Sequence, residues 1–178
     1  MLQARREGTA GRRRLPVETF VIGLVACVAC AHYSPSARAL PVHIRTIAVP
    51  LFENTTVESG IKEALTDSIL TRFLRDNQLK VVDEPDADSI LRGTIVEVRE
   101  EALSFSQGQT TRESRIWIYA RIRYEDVRNQ KILWEEPLMQ SWGVFQVVTG
   151  TDADRQAGIA AAIKKMADDI LNKTVAGW

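Results

Sequence analysis

The sequence is poor in the side chains that bind metals and form disulfides. Its 178 residues include two cysteines, Cys27 and Cys30, and two histidines, His32 and His43. Because both cysteines lie near the N-terminus, the rest of the chain has no thiol for a disulfide or a zinc site, and two histidines cannot form a cluster. We therefore expect no disulfide framework, no metal and no other cofactor in the folded part of the chain.

The sequence also lacks the motifs of common enzymes. It contains no phosphate-binding G-x-x-x-x-G-K-[ST] loop and no G-x-S-x-G nucleophile motif. The carboxylate pairs Glu100-Glu101 and Glu135-Glu136 are adjacent in sequence, so on a strand their members would face opposite sides. We predict that the protein is not an enzyme.

The sequence also has no excess of positive or negative charge, because its formal net charge is zero. Five arginines lie within the first 26 residues, and the remainder carries 18 basic and 21 acidic groups. Domains that bind nucleic acid usually show a basic patch or stripe, so no nucleic-acid partner is expected. The 45% of hydrophobic and 26% of charged residues are typical of a folded globular protein.

No apolar run near the N-terminus is long enough to cross a membrane. The segment Phe20–Ala26 lies within about ten apolar residues, which as a helix would rise only about 15 Å, half the thickness of the hydrocarbon layer. It follows an arginine-rich stretch and precedes Cys27, which is the order of a secretory signal. We interpret residues 1–26 as a signal peptide of the lipoprotein type and residues 27–40 as a lipidated N-terminus and linker.

Leu24-Val25-Ala26-Cys27 resembles the bacterial lipobox, whose cysteine is acylated before the signal is cleaved. Cys27 is the predicted lipidation site, and Cys30 is the alternative. A soluble secreted protein, cut near Ala26 or Ala31, is a further alternative. Neither Val28 nor Ala31 is the aspartate that signals inner-membrane retention, so we expect the outer membrane, with the lipid anchor on the periplasmic side.

Residues 41–178 predict a single α+β domain that opens with a β-α-β unit. His43–Phe52 is apolar without alternation, as in a central strand covered on both faces. Apolar residues at a spacing of four then predict a helix over Ser59–Asp76, followed by a strand near Leu79–Val82. Ser59 or Thr56 would cap the helix, and Asn77 would end it in a left-handed conformation.

The second half predicts an antiparallel sheet and a final helix. The predicted elements are a strand over Ile90–Arg99 with a bulge near Ile95, a surface connection over Ser104–Ser114, strands over Arg115–Tyr124 and Ile132–Trp134, and a helix over about Asp152–Val175. Thr151 and Asp154 resemble a capping box. The expected architecture is a two-layer sandwich, with both helices on one face of a mixed, mostly antiparallel sheet of four to five strands.

The strand Arg115–Tyr124 alternates most clearly, with apolar residues on one side. On the other side it carries a stripe of arginine and aromatic residues: Arg115, Trp117, Tyr119, Arg121 and Arg123. Arginine forks suit phosphate and aromatic faces suit sugar or acyl surfaces, which makes the stripe a candidate contact for an amphiphile that carries phosphates or for a protein partner. A solvated sheet face without a ligand is the alternative.

Trp142 and Phe145 lie in the segment Gln140–Thr149, which is unusually apolar. They are candidate aromatic anchors for a partner, since aromatic residues are enriched at interface hot spots. The alternative is that they are core residues of a further strand.

The segment Leu40–Thr56, LPVHIRTIAVPLFENTT, resembles the opening of the LptE family, in which an LPPHIKTIAVPxFxNxT pattern follows a lipidated cysteine. The order of later segments is also similar: LTDSILTRFLRD in a helix, KVVD in a short strand, ADSILRGTI in the next, and ILWEE at the end of a hairpin. The similarity covers nearly the whole chain. The segment Gln140–Thr149 is more apolar than this family pattern leads us to expect.

The resemblance implies a non-catalytic outer-membrane lipoprotein of lipopolysaccharide assembly. Such a protein partners the LptD β-barrel one-to-one, plugs its lumen, supports its assembly and helps to place lipopolysaccharide in the outer leaflet. The resemblance implies that the stripe Arg115, Trp117, Tyr119, Arg121 and Arg123 contacts lipopolysaccharide or the barrel. A self-assembling lipoprotein resembling the curli-secretion channel is the alternative, because related domains also open with an IAVxxFxN strand.

Overall fold

The computed structural model describes residues 40–105, 111–147 and 152–176. The predicted signal peptide, Cys27, Cys30 and Thr151 lie outside the described residues. The elements are β1 (Thr46–Ala48), β2 (Glu53–Asn54), α1 (Ile61–Asp76), β3 (Lys80–Val81), a 3-10 turn (Glu84–Asp86), β4 (Ser89–Phe105), β5 (Thr111–Asp126), β6 (Lys131–Gln146) and α2 (Asp152–Val175).

The described strands form one mixed sheet in the order β3-β1-β4-β5-β6, and β2 also pairs with β4. Strand β1 is parallel to both β3 and β4, and β2 is also parallel to β4, whereas β5 is antiparallel to both β4 and β6. The predicted α+β class is confirmed, with six strands in place of four to five. The strands β1 and β3 with helix α1 between them form the predicted β-α-β unit.

The first strand is shorter than predicted. Only Thr46–Ala48 pairs in place of His43–Phe52, although this short strand does lie between two neighbours. Pro50 has no backbone N–H to donate, so it interrupts the ladder, and pairing resumes at Glu53–Asn54.

Helix α1 ends as predicted but begins differently. Asn77 adopts the left-handed conformation, and its N–H donates to the Phe73 carbonyl over 3.0 Å. At the other end Gly60, with φ of 75°, precedes the helix and no side chain caps it, so the prediction of a Ser59 or Thr56 cap is wrong. Thr56 instead serves the preceding turn, where its backbone N–H and its hydroxyl both donate to the Asn54 side chain.

The two long hairpins extend further than predicted. Strand β4 continues to Phe105 and β5 begins at Thr111, so both ends of the predicted surface connection Ser104–Ser114 are strand and its predicted bounds are wrong. Residues 106–110 lie outside the described residues. The predicted bulge is present as a register shift between Ile95 and Glu97.

Strand β6 continues to Gln146 and so includes most of the segment Gln140–Thr149. It is the edge of the sheet as described, which accommodates Pro137 beside a register shift. Phe145 points toward the helices, is 7% exposed and belongs to the core. The alternative prediction, that Phe145 is a core residue of a further strand, is therefore correct, and the prediction that Phe145 is an exposed partner anchor is wrong.

Helix α2 has the predicted bounds and buries the predicted face of Ile159, Ile163, Met166, Ile170 and Thr174. It packs closely on β6, where the Ser141 hydroxyl donates to the Ala162 carbonyl over 2.9 Å. Both helices contribute to one core with the apolar side of β5. The other face of the sheet is therefore turned away from the helices.

A buried carboxylate joins the start of the domain to the end of β5. The Asp126 side chain, 2% exposed, lies 2.8 Å from His43 Nε2 and accepts hydrogen bonds from the Asn129 side chain and backbone over 2.8 and 3.0 Å. Nearby, Asp88 accepts the backbone N–H groups of Arg45 and Thr46. These contacts connect three segments that are distant in sequence.

Candidate functional site

The alternation predicted for β5 is confirmed. Its apolar residues Ile116, Ile118, Ala120, Ile122 and Tyr124 are all buried on the helix side. The stripe Arg115, Trp117, Tyr119, Arg121 and Arg123, which we now call the β5 stripe, lies on the opposite side. We call that side of the sheet the open face. Within it the structure distinguishes an aromatic cluster from an arginine pocket.

The aromatic cluster consists of Trp117 and Tyr119 on β5 and Trp142 on β6. The Trp117 and Tyr119 rings stack with centroids 6.2 Å apart, and the Trp117 and Trp142 rings meet at 6.4 Å. Trp117 and Trp142 are register partners, which places both rings on the open face. Trp142 is 38% exposed, so it stays a candidate partner anchor where Phe145 does not.

Cationic side chains pack against these rings. The Arg115 guanidinium lies 5.3 Å from the Trp117 centroid and 4.9 Å from that of Trp142, and the Lys165 ammonium lies 4.1 Å from the Trp142 centroid. Arg99 donates to the Tyr119 hydroxyl over 2.6 Å. Such cation–π contacts are worth about 0.5–1 kcal/mol at exposed sites.

Arg115 has an unusual environment. Its Nε atom is buried without a hydrogen-bond partner, and in the described part of the chain no carboxylate lies within ion-pairing distance of its guanidinium. The positive charge of Arg115 is therefore stabilised by cation–π contacts with aromatic rings and not by an ion pair among the described residues. This arrangement holds a cation in place on an apolar surface.

The arginine pocket lies further along β5 and has a volume of about 400 Å³. Two cross-strand rows form its floor: Glu53 pairs with Thr94, which pairs with Arg121, and Arg92 pairs with Arg123, which pairs with Glu135. Pro50, Leu51 and Gly93 complete the lining. The pocket thus combines charges of both signs with an apolar wall.

Two of the three arginines are committed to carboxylates. Arg92 pairs with Glu84 at 2.7 Å and with Glu125 at 3.6 Å, and Arg123 pairs with Glu125 at 2.6 Å. Arg121 is exposed and has no ion pair or hydrogen bond among the described residues. Arg121 is therefore the guanidinium that can bind an external anion without breaking a contact.

The sequence did not identify the residues that β4 and α2 add to this face. Arg92 and Arg99 differ by an odd number of positions along β4, so a regular strand would place them on opposite sides. The bulge between Ile95 and Glu97 changes the phase and brings both to the open face. The phase change in the sequence was the available signal for this, whereas nothing local indicated Lys165.

The described residues contain no group of three or more His, Cys, Asp or Glu side chains that could hold a metal. None of the described helices is long and apolar enough to span a membrane.

A model of the LptE family, described as lipopolysaccharide-assembly, matches residues 44–174. The chain belongs to the LptE family. As an LptE protein it is a non-catalytic lipoprotein of lipopolysaccharide assembly at the outer membrane, which confirms the expectation that it is not an enzyme. No curated protein sequence matches it.

Solved structures similar to this LptE chain agree on the fold. Protein XCC0632 from Xanthomonas campestris has a TM-score of 0.54 at 13% identity, covering 77% of this chain and 89% of that one. A minor lipoprotein from Acinetobacter baumannii has a TM-score of 0.51 at 14% identity, covering 74% of this chain and 92% of that one. The PelC L103M dodecamer from Paraburkholderia phytofirmans has a TM-score of 0.51 at 15% identity, covering 79% of this chain and 96% of that one. At these identities the likeness concerns the fold alone.

Proposed function

We propose that this protein partners the LptD β-barrel one-to-one, as plug and assembly factor, and helps to deliver lipopolysaccharide to the outer leaflet. The proposal rests on family membership and on one observation: the sheet face opposite the helices carries aromatic rings and cations. No covalent chemistry is required for this task.

The open face matches the chemistry of an amphiphile that carries phosphates and sugars. A free guanidinium such as that of Arg121 binds phosphate through charge-assisted hydrogen bonds. Aromatic rings such as Trp117 and Trp142 offer apolar surface with a polar edge. The interior of large outer-membrane barrels is polar, so a plug with charged side chains on its surface suits that environment.

The first test uses affinity purification of the full chain from solubilised outer membrane, followed by identification of the proteins that elute with it. We expect the LptD barrel in equimolar amount.

The second test concerns lipopolysaccharide binding. The variant Arg121→Glu should bind lipopolysaccharide about tenfold more weakly, because the substitution replaces a charge-assisted hydrogen bond by repulsion. Arg121 is the better position than Arg123, whose reversal to glutamate would also break the ion pair with Glu125.

The matched control is Arg75→Glu, an exposed arginine in the last turn of α1 and away from the open face. Circular dichroism should be unchanged in both variants. Unaltered lipopolysaccharide binding by Arg121→Glu would return the β5 stripe to a solvated sheet face.

The proposal includes a lipid anchor at Cys27, with Cys30 as the alternative. A thiol carrying acyl chains gains about 0.8 kcal/mol for each buried methylene, so several chains give a stable anchor. Metabolic labelling with palmitate should therefore mark the wild type and Cys30→Ala but not Cys27→Ala. If only Cys30→Ala loses the label, Cys30 is the acylated cysteine. An unlabelled wild type would contradict the lipid anchor.

A self-assembling lipoprotein resembling the curli-secretion channel is the second candidate, and one protein of similar fold, PelC, is a dodecamer. Light scattering separates the two functions, because a barrel partner should be monomeric when alone. Rings of the chain itself, with no barrel in the eluate, would overturn the leading proposal.

A further inference from the structure

The arginine pocket holds two ionic groups of opposite sign without partners. Arg121 on β5 and Glu135 on β6 both line it, and both are exposed. Neither has an ion pair or a hydrogen bond within the described ranges. A ligand could therefore engage both groups without displacing an existing contact.

The pocket as a whole is not cationic. Its arginines are Arg92, Arg121 and Arg123, and the carboxylates that line the pocket or pair with these arginines are Glu53, Glu84, Glu125 and Glu135. Carboxylates thus outnumber guanidinium groups by four to three. A bare phosphate dianion would be attracted by Arg121 but repelled by the nearby carboxylates. The charge pattern favours a ligand that carries a positive group close to its phosphate.

The positions of the two free groups fit such a ligand. Arg123 and Glu135 are register partners, and Arg121 lies two residues before Arg123 on the same side of β5, at the register shift between Ala120 and Ile122. In a regular ladder such diagonal positions lie about 7–8 Å apart, and both side chains line the same pocket. A molecule whose phosphate and ammonium groups are separated by two carbons can contact both side chains at once.

The apolar wall indicates that the ligand is part of an amphiphile. Leu51 is 55% exposed at the rim of the pocket, next to Pro50. A large exposed apolar residue beside a polar pocket is the arrangement expected where a headgroup binds with its lipid part near the rim. The volume of about 400 Å³ is within the usual range for small-ligand sites.

We propose that the arginine pocket binds a phosphoethanolamine headgroup. The Arg121 guanidinium donates hydrogen bonds to the phosphate, and the Glu135 carboxylate accepts one from the ammonium. Leu51 contacts the apolar part of the amphiphile that carries the headgroup. This inference refines the lipid contact of the proposed function by naming the chemical group that the pocket selects.

The experiment is saturation-transfer NMR on the full chain in detergent micelles, with O-phosphoethanolamine and inorganic phosphate as water-soluble probes. The wild type should prefer phosphoethanolamine by about threefold, the contribution of one exposed ion pair. Glu135→Gln should remove that preference while binding to phosphate persists. Arg121→Gln should lose both probes, and Arg75→Gln should behave as the wild type.

Equal preference in the wild type and Glu135→Gln, or no transfer to either probe, would overturn the proposal. Two sources of the headgroup are then compared: nanodiscs of phosphatidylethanolamine against phosphatidylglycerol, and lipopolysaccharide with and without phosphoethanolamine. Selectivity in either comparison supports the site and identifies its source, whereas selectivity in neither contradicts it.

This outcome is independent of the proposed partnership. The control variant Arg75→Gln, which lies away from the open face, should recover the barrel from solubilised membrane as the wild type does. If the wild type recovers no barrel but discriminates between the probes, the partnership fails and the headgroup site stands. If the barrel is recovered without discrimination, the opposite holds.

Discussion

Replacing Gly143 by alanine should lower the free energy of unfolding by about 3 kcal/mol, at the upper end of the usual cost of overpacking. A Cβ atom at Gly143 would clash with the Gly158 carbonyl oxygen and would lie 2.8 Å from both the Ala161 Cβ and the Ala162 nitrogen. Two of these three atoms belong to the backbone of α2, so no side-chain rotation can relieve the clash. The helix would have to move away from β6. Equilibrium denaturation followed by circular dichroism measures the loss.

Gly60→Ala is the matched control. Gly60 has φ of 75°, but a Cβ atom there meets nothing within 4 Å. Its cost is therefore that of a left-handed conformation alone, about 1–2 kcal/mol. If Gly143→Ala proves no more destabilising than Gly60→Ala, the contact between β6 and α2 is looser than the distances indicate.

The elements that the sequence predicted well have a strong local periodicity. Strand β5 alternates without interruption through Tyr124, and α2 repeats its apolar residues at helical spacing from Ile159 to Ile170. Each pattern reports one buried face, and both faces meet in the same core. Local patterns were sufficient here because burial is on one side of each element.

The elements that it predicted poorly are set by distant contacts. Strand β6 passes through Pro137, which locally indicates a break, yet it continues because β5 pairs with it on both sides of the register shift. Phe145 looked like a candidate surface anchor, but it is buried where α2 brings Gly158 against it. No pattern within β6 contains that information.

The same distinction applies to the candidate site. The five residues of the β5 stripe could be assigned to one face from their spacing, and the structure places them there. Their separation into an aromatic cluster and an arginine pocket depends on partners from other strands, such as Trp142 and Glu125. The sequence could not show that Arg123 forms an ion pair whereas Arg121 forms none among the described residues, because both arginines follow the same alternation.

Asp126→Asn should destabilise the protein by about 2 kcal/mol at neutral pH, since hydrogen bonds to a charged group contribute about 1.5–3 kcal/mol. The buried carboxylate accepts hydrogen bonds from His43 and from the side chain and backbone of Asn129. An amide presents only one accepting oxygen, and its NH2 group would face donors. The tie between the start of the domain and the end of β5 would therefore weaken. Equilibrium denaturation at a series of pH values measures the effect.

The stability difference between the wild type and Asp126→Asn should depend on pH. Burial alone would raise the pKa of Asp126, but the hydrogen bonds from Asn129, together with His43, outweigh it and lower the pKa from its ordinary value of 3.8. A lowered pKa in the folded state means that the ionised form stabilises the fold. That contribution is complete above the ordinary pKa and is lost as the pH falls through the folded pKa. The difference between wild type and Asp126→Asn should therefore be full at neutral pH and shrink below about pH 4.

Asp86→Asn provides the control, because this exposed side chain has no partner among the residues that the structure describes. It should leave stability unchanged across the series. Asp126→Asn should itself keep some acid sensitivity, because the backbone N–H of Arg45 lowers the pKa of Asp88. A difference between wild type and Asp126→Asn that stays constant down to pH 2 would mean that the lost contact is one of packing. In that case the charge of Asp126 would not be what joins His43 to the end of β5.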